Sequence, residues 1–239
     1  TFVRLAHEVG AVTVVDAVHY ALHRSIDVKD IDTDFLICSA YKFFGPHLGV
    51  LYAKESVGIK VKTVRVMADD NKEMPWKFET GTPAMELAAG AAAAVEFIAG
   101  IGKKHEQYFM DQLEGLSGRR RMVVAGINAI EAYEEPLAYK LRTELAAIHR
   151  VKVYCSPEGN PKTSTVSFTV EGANANDVAR FLAERGLFVW DGDFYAIHIV
   201  NNVLKLTDQG GLVRIGLAPY NTSDEIERTI QAVKDFCKM

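Results

Sequence analysis

The sequence has few cysteines, three in 239 residues, and no CxxC spacing among Cys38, Cys155 and Cys237. An odd number without paired spacing excludes a disulfide framework and reads as reduced thiols in a cytoplasmic protein. Charge of one sign is also lacking: the formal net charge is −4. No basic stripe is present, so nucleic acid is not expected as a partner. The densest positive run, Arg119-Arg120-Arg121, reads as a solvated helix end or turn. The longest apolar stretch, 87–98, is alanine-rich and contains Glu96. Its length and polarity argue against a membrane span. The triplet Asn221-Thr222-Ser223 matches a glycosylation acceptor, an accidental match in a cytoplasmic chain. No metal site is expected.

What is present is an ordinary globular balance of apolar and charged residues, enough chain for one large or two modest domains. Helical periodicity at 2–9 leads to an apolar run at 11–17, then to further apolar runs at 35–40 and 49–53. Such runs, bounded by turn signals, read as strands buried on both faces. Residues 57–83 read mostly as loop with short elements. A helix is expected over 85–99, broken at Gly100-Ile101-Gly102 and resuming to about 116. Another is expected over 131–149, interrupted by Pro136. Short strands follow at 151–154 and 163–170, then a helix at 175–185 capped by Gly186 and a strand at 212–218. Thr222 with Glu225 forms a capping box opening a last helix with Ile226, Ile230, Val233 and Cys237 on one face. The division is into residues 1–118, part of an α/β domain, and 119–239, a small α+β domain, with a bridging helix able to blur the boundary.

Two residues carry candidate chemistry at strand ends, where ligands sit in parallel α/β sheets. Asp16 closes the run Ala11-Val12-Thr13-Val14-Val15-Asp16 on the face of Val12 and Val14, where desolvating a carboxylate is costly without a proton or cation. Alone it also reads as a cap for the next turn. Lys42 follows the next strand, among Tyr41, Phe43 and Phe44. Apolar surroundings favour the free amine that condenses with carbonyls, although a snorkelling surface lysine shows the same pattern. Together, a carboxylate for a pyridine nitrogen and a lysine for a Schiff base are what a pyridoxal cofactor needs from its protein. Ser39, in the same turn as Lys42, is placed to reach a phosphate.

The segments Val15-Asp16-Ala17-Val18-His19 and Ser39-Ala40-Tyr41-Lys42-Phe43-Phe44-Gly45-Pro46 resemble the cofactor signature of class V aminotransferases, including their cysteine desulfurase-like branch. Phe78-Glu79-Thr80-Gly81-Thr82-Pro83 resembles that family's glycine-threonine segment. Arg214-Ile215-Gly216-Leu217-Ala218-Pro219-Tyr220-Asn221-Thr222 resembles its C-terminal arginine and Tyr-Asn-Thr segment. The four blocks fall in the family's order and span nearly the whole chain.

The resemblance implies a pyridoxal-phosphate transferase fold, with 1–118 from the mainly parallel cofactor domain and 119–239 as the small domain. It implies pyridoxal 5′-phosphate as cofactor, an amino acid as substrate, and a homodimer with shared active sites. Asp16 would pair with the pyridine nitrogen and His19 would donate to the cofactor's phenolic oxygen. Ser39 would bind phosphate, Lys42 would hold the cofactor, and Thr82 would reach the phosphate in the neighbouring subunit. Arg214, the only charge along 212–218, suits a substrate carboxylate by its forked geometry, although an edge-strand arginine is the plainer alternative.

Tyr195 stands in the segment 191–196 where desulfurases carry their sulfur-accepting cysteine. It is expected to line the substrate site and to argue against desulfurase activity, because a phenol cannot take a persulfide. Tyr41 and His47 also depart from the family's usual residues. The chain opens at Thr1 inside a helical pattern, without the family's upstream phosphate turn, so it reads as the C-terminal part of such an enzyme. The competing reading is a non-catalytic protein or inactive fragment that keeps the fold for binding or assembly.

Overall fold

The computed structural model describes residues 2–66 and 73–239, which form two compact units, Thr1–Ala129 and Ile130–Met239. Of the loop expected over 57–83, residues 67–72 lie outside the described residues, as does Thr1.

The first unit opens with helix α1 (Phe2–Glu8) and strand β1 (Val14–Asp16), followed by the short helices α2 (Tyr20–His23) and α3 (Val28–Ile31). Strand β2 (Phe35–Ser39), a 3-10 turn (Ala40–Phe43) and strand β3 (Gly49–Ala53) come next. Helix α4 (Glu55–Gly58) and a 3-10 turn (Trp76–Phe78) lead to helix α5 (Met85–His105). The sheet order is β1-β2-β3. β1 runs parallel to β2, with Asp16 paired to Ile37, so both strands point their C-terminal ends the same way. β3 is antiparallel to β2, so these three strands are mixed, where a mainly parallel sheet is expected. The cause is the short connection 40–48, since a parallel return needs a dozen or more residues.

The expected burial on both faces is corrected as well. Val12, Val14 and Leu51 are all substantially exposed in this unit. What is buried in β2 is Leu36, together with Asp34 just before the strand. Asp34 accepts from the Thr13 amide at 2.8 Å, the Thr13 hydroxyl at 3.0 Å and His7 at 3.0 Å, tying α1, β1 and β2 together. Burial pushes the Asp34 carboxyl up, but these hydrogen bonds outweigh it and leave the group below the usual carboxylate range.

The break expected at Gly100–Gly102 does not occur; α5 runs through both glycines. Helix α6 (Gly118–Ala146) supplies the reason. A Cβ on Gly102 would sit 1.8 Å from the Met122 carbonyl oxygen, and one on Gly126 would sit 2.1 Å from the Ile98 carbonyl oxygen. The two helices therefore cross backbone to backbone, and the glycines permit close packing instead of ending the helix. The stretch Met85–Tyr108 is long and apolar enough by length and composition to cross a membrane, which corrects the length expected from 87–98 alone. In this fold Ala94, Ile98, Ala99 and Gly102 are buried.

Arg119–Arg121 open α6, where the helix dipole disfavours cations. The run is more engaged than a solvated helix end. Arg119 pairs with Glu96 at 2.9 Å, Arg120 donates to the Ile26 carbonyl at 2.9 Å, and Arg121 pairs with Glu106 at 3.0 Å. Pro136 lies inside α6 and does not interrupt it. The missing amide costs about 3 kcal/mol, offset by burial of Ala138, Leu141 and Leu145.

The division between the units falls within α6. The second unit continues with β4 (Val151–Tyr154), β5 (Thr165–Val170), α7 (Ala175–Ala183), β6 (Trp190–Gly192), a π-helical turn (His198–Val203), β7 (Leu212–Gly216) and α8 (Ser223–Cys237). Its sheet is antiparallel throughout, in the order β4-β5-β7-β6. Val166, Phe168 and Val170 alternate onto the core face with Val213 and Ile215, against Val178 and Leu182 of α7 and Ile226, Ile230 and Val233 of α8. Just past the end of α7, Gly186 takes φ 74° while the Leu187 amide bonds the Leu182 carbonyl at 3.0 Å, so glycine closes the helix terminus. The Thr222–Glu225 capping box is present in both directions. β6, α2, α3 and the π-helical turn have no expectation from sequence periodicity.

Candidate active site

In the first unit the sequence-derived candidates collect at the C-terminal ends of β1 and β2. Asp16 is exposed, contrary to the expected desolvation, because the Val12–Val14 face beside it is open. Its Oδ1 accepts from the Val18 amide at 2.9 Å, so it does cap the next turn. Its Oδ2 has no partner among the described residues. His19 follows at the start of α2, 5.0 Å from the His23 ring.

Ser39 ends β2, and its hydroxyl makes no capping bond to the turn that follows. Lys42 lies in that turn, which is locked in several ways. The Gly45 amide bonds the Ala40 carbonyl at 2.8 Å, and the Ala40 amide bonds the Leu48 carbonyl at 2.8 Å. A Cβ on Gly45 would approach the Ala40 carbonyl oxygen to 2.9 Å, so only glycine closes the turn without a shift. Behind it, α5 contributes Phe97, edge-on to Phe44 at 5.6 Å, and Gly90, whose missing side chain admits Pro46.

The Lys42 amine lies over the Tyr41 ring, 5.3 Å from its centroid, and Tyr41 stacks on His47 at 5.0 Å. Among the described residues no carboxylate or carbonyl accepts from it. Lys77 is the more buried lysine, but its amine is committed to the Ile59 carbonyl at 2.7 Å. Thr82 is exposed in the loop before α5, beside Gly81 at φ 77°.

In the second unit Arg214 lies on β7, on the sheet face opposite the core. The register sets Tyr154, Ser167, Arg214 and Trp190 in one row across β4, β5, β7 and β6. Burial pushes the Arg214 guanidinium below its usual range, and no described carboxylate pairs with it. The Phe194 ring covers it, with Cζ 4.3 Å from the centroid. Tyr195 is 99% exposed. Ser167, Trp190 and Phe194 have no expectation from sequence. Ser167 was legible as the off-beat position of a strand whose alternate residues fill the core. Cys155 follows the last residue of β4, Tyr154, which is two strands from Arg214, about 10 Å. The three thiols are free, and burial pushes those of Cys38 and Cys237 up.

The Asp16 carboxylate and the Ser39 hydroxyl thus lie at the C-terminal ends of the adjacent parallel strands β1 and β2, with the Lys42 amine in the turn that follows β2. The family model for Aminotransferase class-V matches residues 1–120 and 120–229, and the chain belongs to that family, whose members use pyridoxal 5′-phosphate. A cysteine desulfurase from Haloferax volcanii is 27% identical over 240 residues, covering 96% of this chain and 50% of that protein. The aminotransferase-like protein FGM3 of Gibberella zeae is 29% identical over 235 residues, covering 96% and 53%. The apo cysteine desulfurase from Thermococcus onnurineus superposes with a TM-score of 0.75 at 26% identity, covering 98% of this chain and 55% of that one. The chain thus spans about half the length of the curated relatives it matches.

Proposed function

We propose that this chain supplies the lysine-bearing part of a pyridoxal-phosphate enzyme that acts on an amino acid. The observation that carries the reading is Lys42: a half-buried lysine on a locked turn, with no acceptor among the described residues, beyond the strand ends where Asp16 and Ser39 also have unspent capacity. The donor set fits the cofactor. Lys42 would hold it covalently, Asp16 Oδ2 would face its pyridine nitrogen, Ser39 would meet its phosphate, and His19 its phenolic oxygen. When bound, the cofactor supplies an electron sink for bonds at the substrate's α-carbon.

This chain's residues then have two tasks. Lys42 would move a proton to and from the substrate's α-carbon. Arg214 fixes the substrate carboxylate through its N–H fork. Residues 1–118 would be the C-terminal part of the cofactor-binding domain and 119–239 the small C-terminal domain. The protein works as a cytoplasmic homodimer, with Thr82 serving the neighbouring subunit's phosphate site.

Within the family, transamination, elimination or epimerisation is favoured over sulfur transfer. Tyr195 holds the segment where the family's sulfur-accepting cysteine belongs, and Cys155 lies in a different segment, just after β4. Purified with pyridoxal phosphate, the intact protein is expected to show a visible cofactor band that Lys42→Ala abolishes. Absence of the band in the parent protein overturns the enzyme reading. Sulfide release from cysteine at the rate of a dedicated desulfurase overturns the Tyr195 argument alone.

A further inference from the structure

We propose that Phe194 is a positioning residue for Arg214, holding the guanidinium plane so that its N–H edge is presented to a carboxylate. The proposal rests on the reading of Arg214 given above and extends it to a residue of a different element. Phe194 has two neighbours at once. One is the guanidinium, 4.3 Å from its ring centroid. The other is the small apolar cluster of Val200, Leu206 and Leu212, against which it packs. The ring is therefore anchored in the fold and lies against the cation.

The turn that delivers it is built for the purpose. Asp193 Oδ1 accepts from the Tyr195 amide at 3.0 Å, and the Asp193 carbonyl accepts from the Ala196 amide at 2.8 Å. Phe194 and Tyr195 then take φ of 55° and 64°, two consecutive side-chain-bearing residues in the left-handed region. That conformation is unfavourable for such residues and persists only where the surroundings over-determine it. The Tyr195 side chain contributes nothing to holding the turn, since it is in solvent. Phe194, packed on the cluster, does.

The physics gives the ring a role beyond packing. A guanidinium binds a carboxylate in its own plane, through two parallel N–H bonds. An aromatic face beneath the cation is attractive and leaves those in-plane donors free. An acceptor side chain in the same place would compete with the ligand. With Ser167 and Trp190 as cross-strand neighbours and no carboxylate of the described residues bonded to it, Arg214 is held by a contact that does not consume its hydrogen bonds.

The test uses the intact, cofactor-loaded protein with Phe194→Leu, which keeps apolar volume for the cluster but removes the aromatic face, and Phe194→Tyr, which retains it. Two readouts are taken: the rate of Arg214 modification by phenylglyoxal, followed by peptide mass spectrometry, and the split of KM against kcat for whichever amino acid the parent protein turns over. For Phe194→Leu, modification is expected to be faster and KM to rise about 2- to 30-fold, the range of a cation–π contact, with kcat little changed. Phe194→Tyr is expected to restore both. Phe194→Leu with parental modification rate and KM, beside a defective Arg214→Gln, overturns the role of Phe194 alone. Arg214→Gln with parental KM overturns the reading of Arg214 on which the proposal stands. Equal defects in Phe194→Leu and Phe194→Tyr show packing rather than the ring face at work, and overturn the proposal too.

Discussion

Replacing Arg214 separates a binding role from a structural one, because the two predict opposite patterns of stability and activity. A carboxylate gripped by two charge-assisted hydrogen bonds gains about 1.5–3 kcal/mol from each. Losing both in Arg214→Gln is expected to raise KM for the amino-acid substrate by about two to four orders of magnitude. Arg214→Lys keeps the charge but not the fork, so it is expected to fall between the two. Stability should hardly change. No described carboxylate is bonded to Arg214, so its removal leaves no buried anion behind. The lost ring contact with Phe194, about 1 kcal/mol, is opposed by relief of the burial that already disfavours the charged guanidinium. The net change is expected within about 1 kcal/mol. The assay pairs steady-state kinetics with urea unfolding of the same preparations. An unchanged KM, or a loss of about 3 kcal/mol or more as in breaking a buried ion pair, refutes the reasoning.

The glycines of the α5–α6 crossing give a matched comparison. Gly126→Ala drives a Cβ into the Ile98 carbonyl and is expected to destabilise by at least about 1–3 kcal/mol. Gly100→Ala, on the same α5 but with open space around it, is expected to stabilise by about 0.5–1 kcal/mol; unfolding midpoints that move together would show that the helices do not cross closely. The depressed Asp34 carboxyl contributes stability that is present above its unfolded value near 4 and is lost as pH falls through its lower folded value. Acid unfolding of Asp34→Asn should therefore be flatter below about pH 4, and an unaltered acid limb would count against the Thr13–His7–Asp34 link.

Much of the second unit was legible locally. The beat of Val166, Phe168 and Val170 and the Thr222–Glu225 box act over a few residues, and the fold keeps both. The lysine turn was legible for a similar reason: Gly45 and Pro46 limit the backbone so strongly that few other arrangements remain. Gly102 misled because its local propensity is to end a helix, while its use depends on a second helix twenty residues on. β3 reversed direction because a short connection leaves no other route. The row around Arg214 could not be read from one strand, since its register pairs residues far apart in sequence.

By itself, then, the sequence determined which chemistry is present: a lysine, a carboxylate and a serine at strand ends, and one arginine on an otherwise uncharged strand. These follow from residue type and short spacing. Only the tertiary structure decided which of those groups are already committed. Lys77 gives its amine to a carbonyl while Lys42 does not, and Asp16 spends one oxygen and keeps the other. Arg214 meets an aromatic face where a carboxylate could have stood. Hydrogen-bond partners and ring faces come from distant parts of the chain, so their allocation is settled only when those parts are packed.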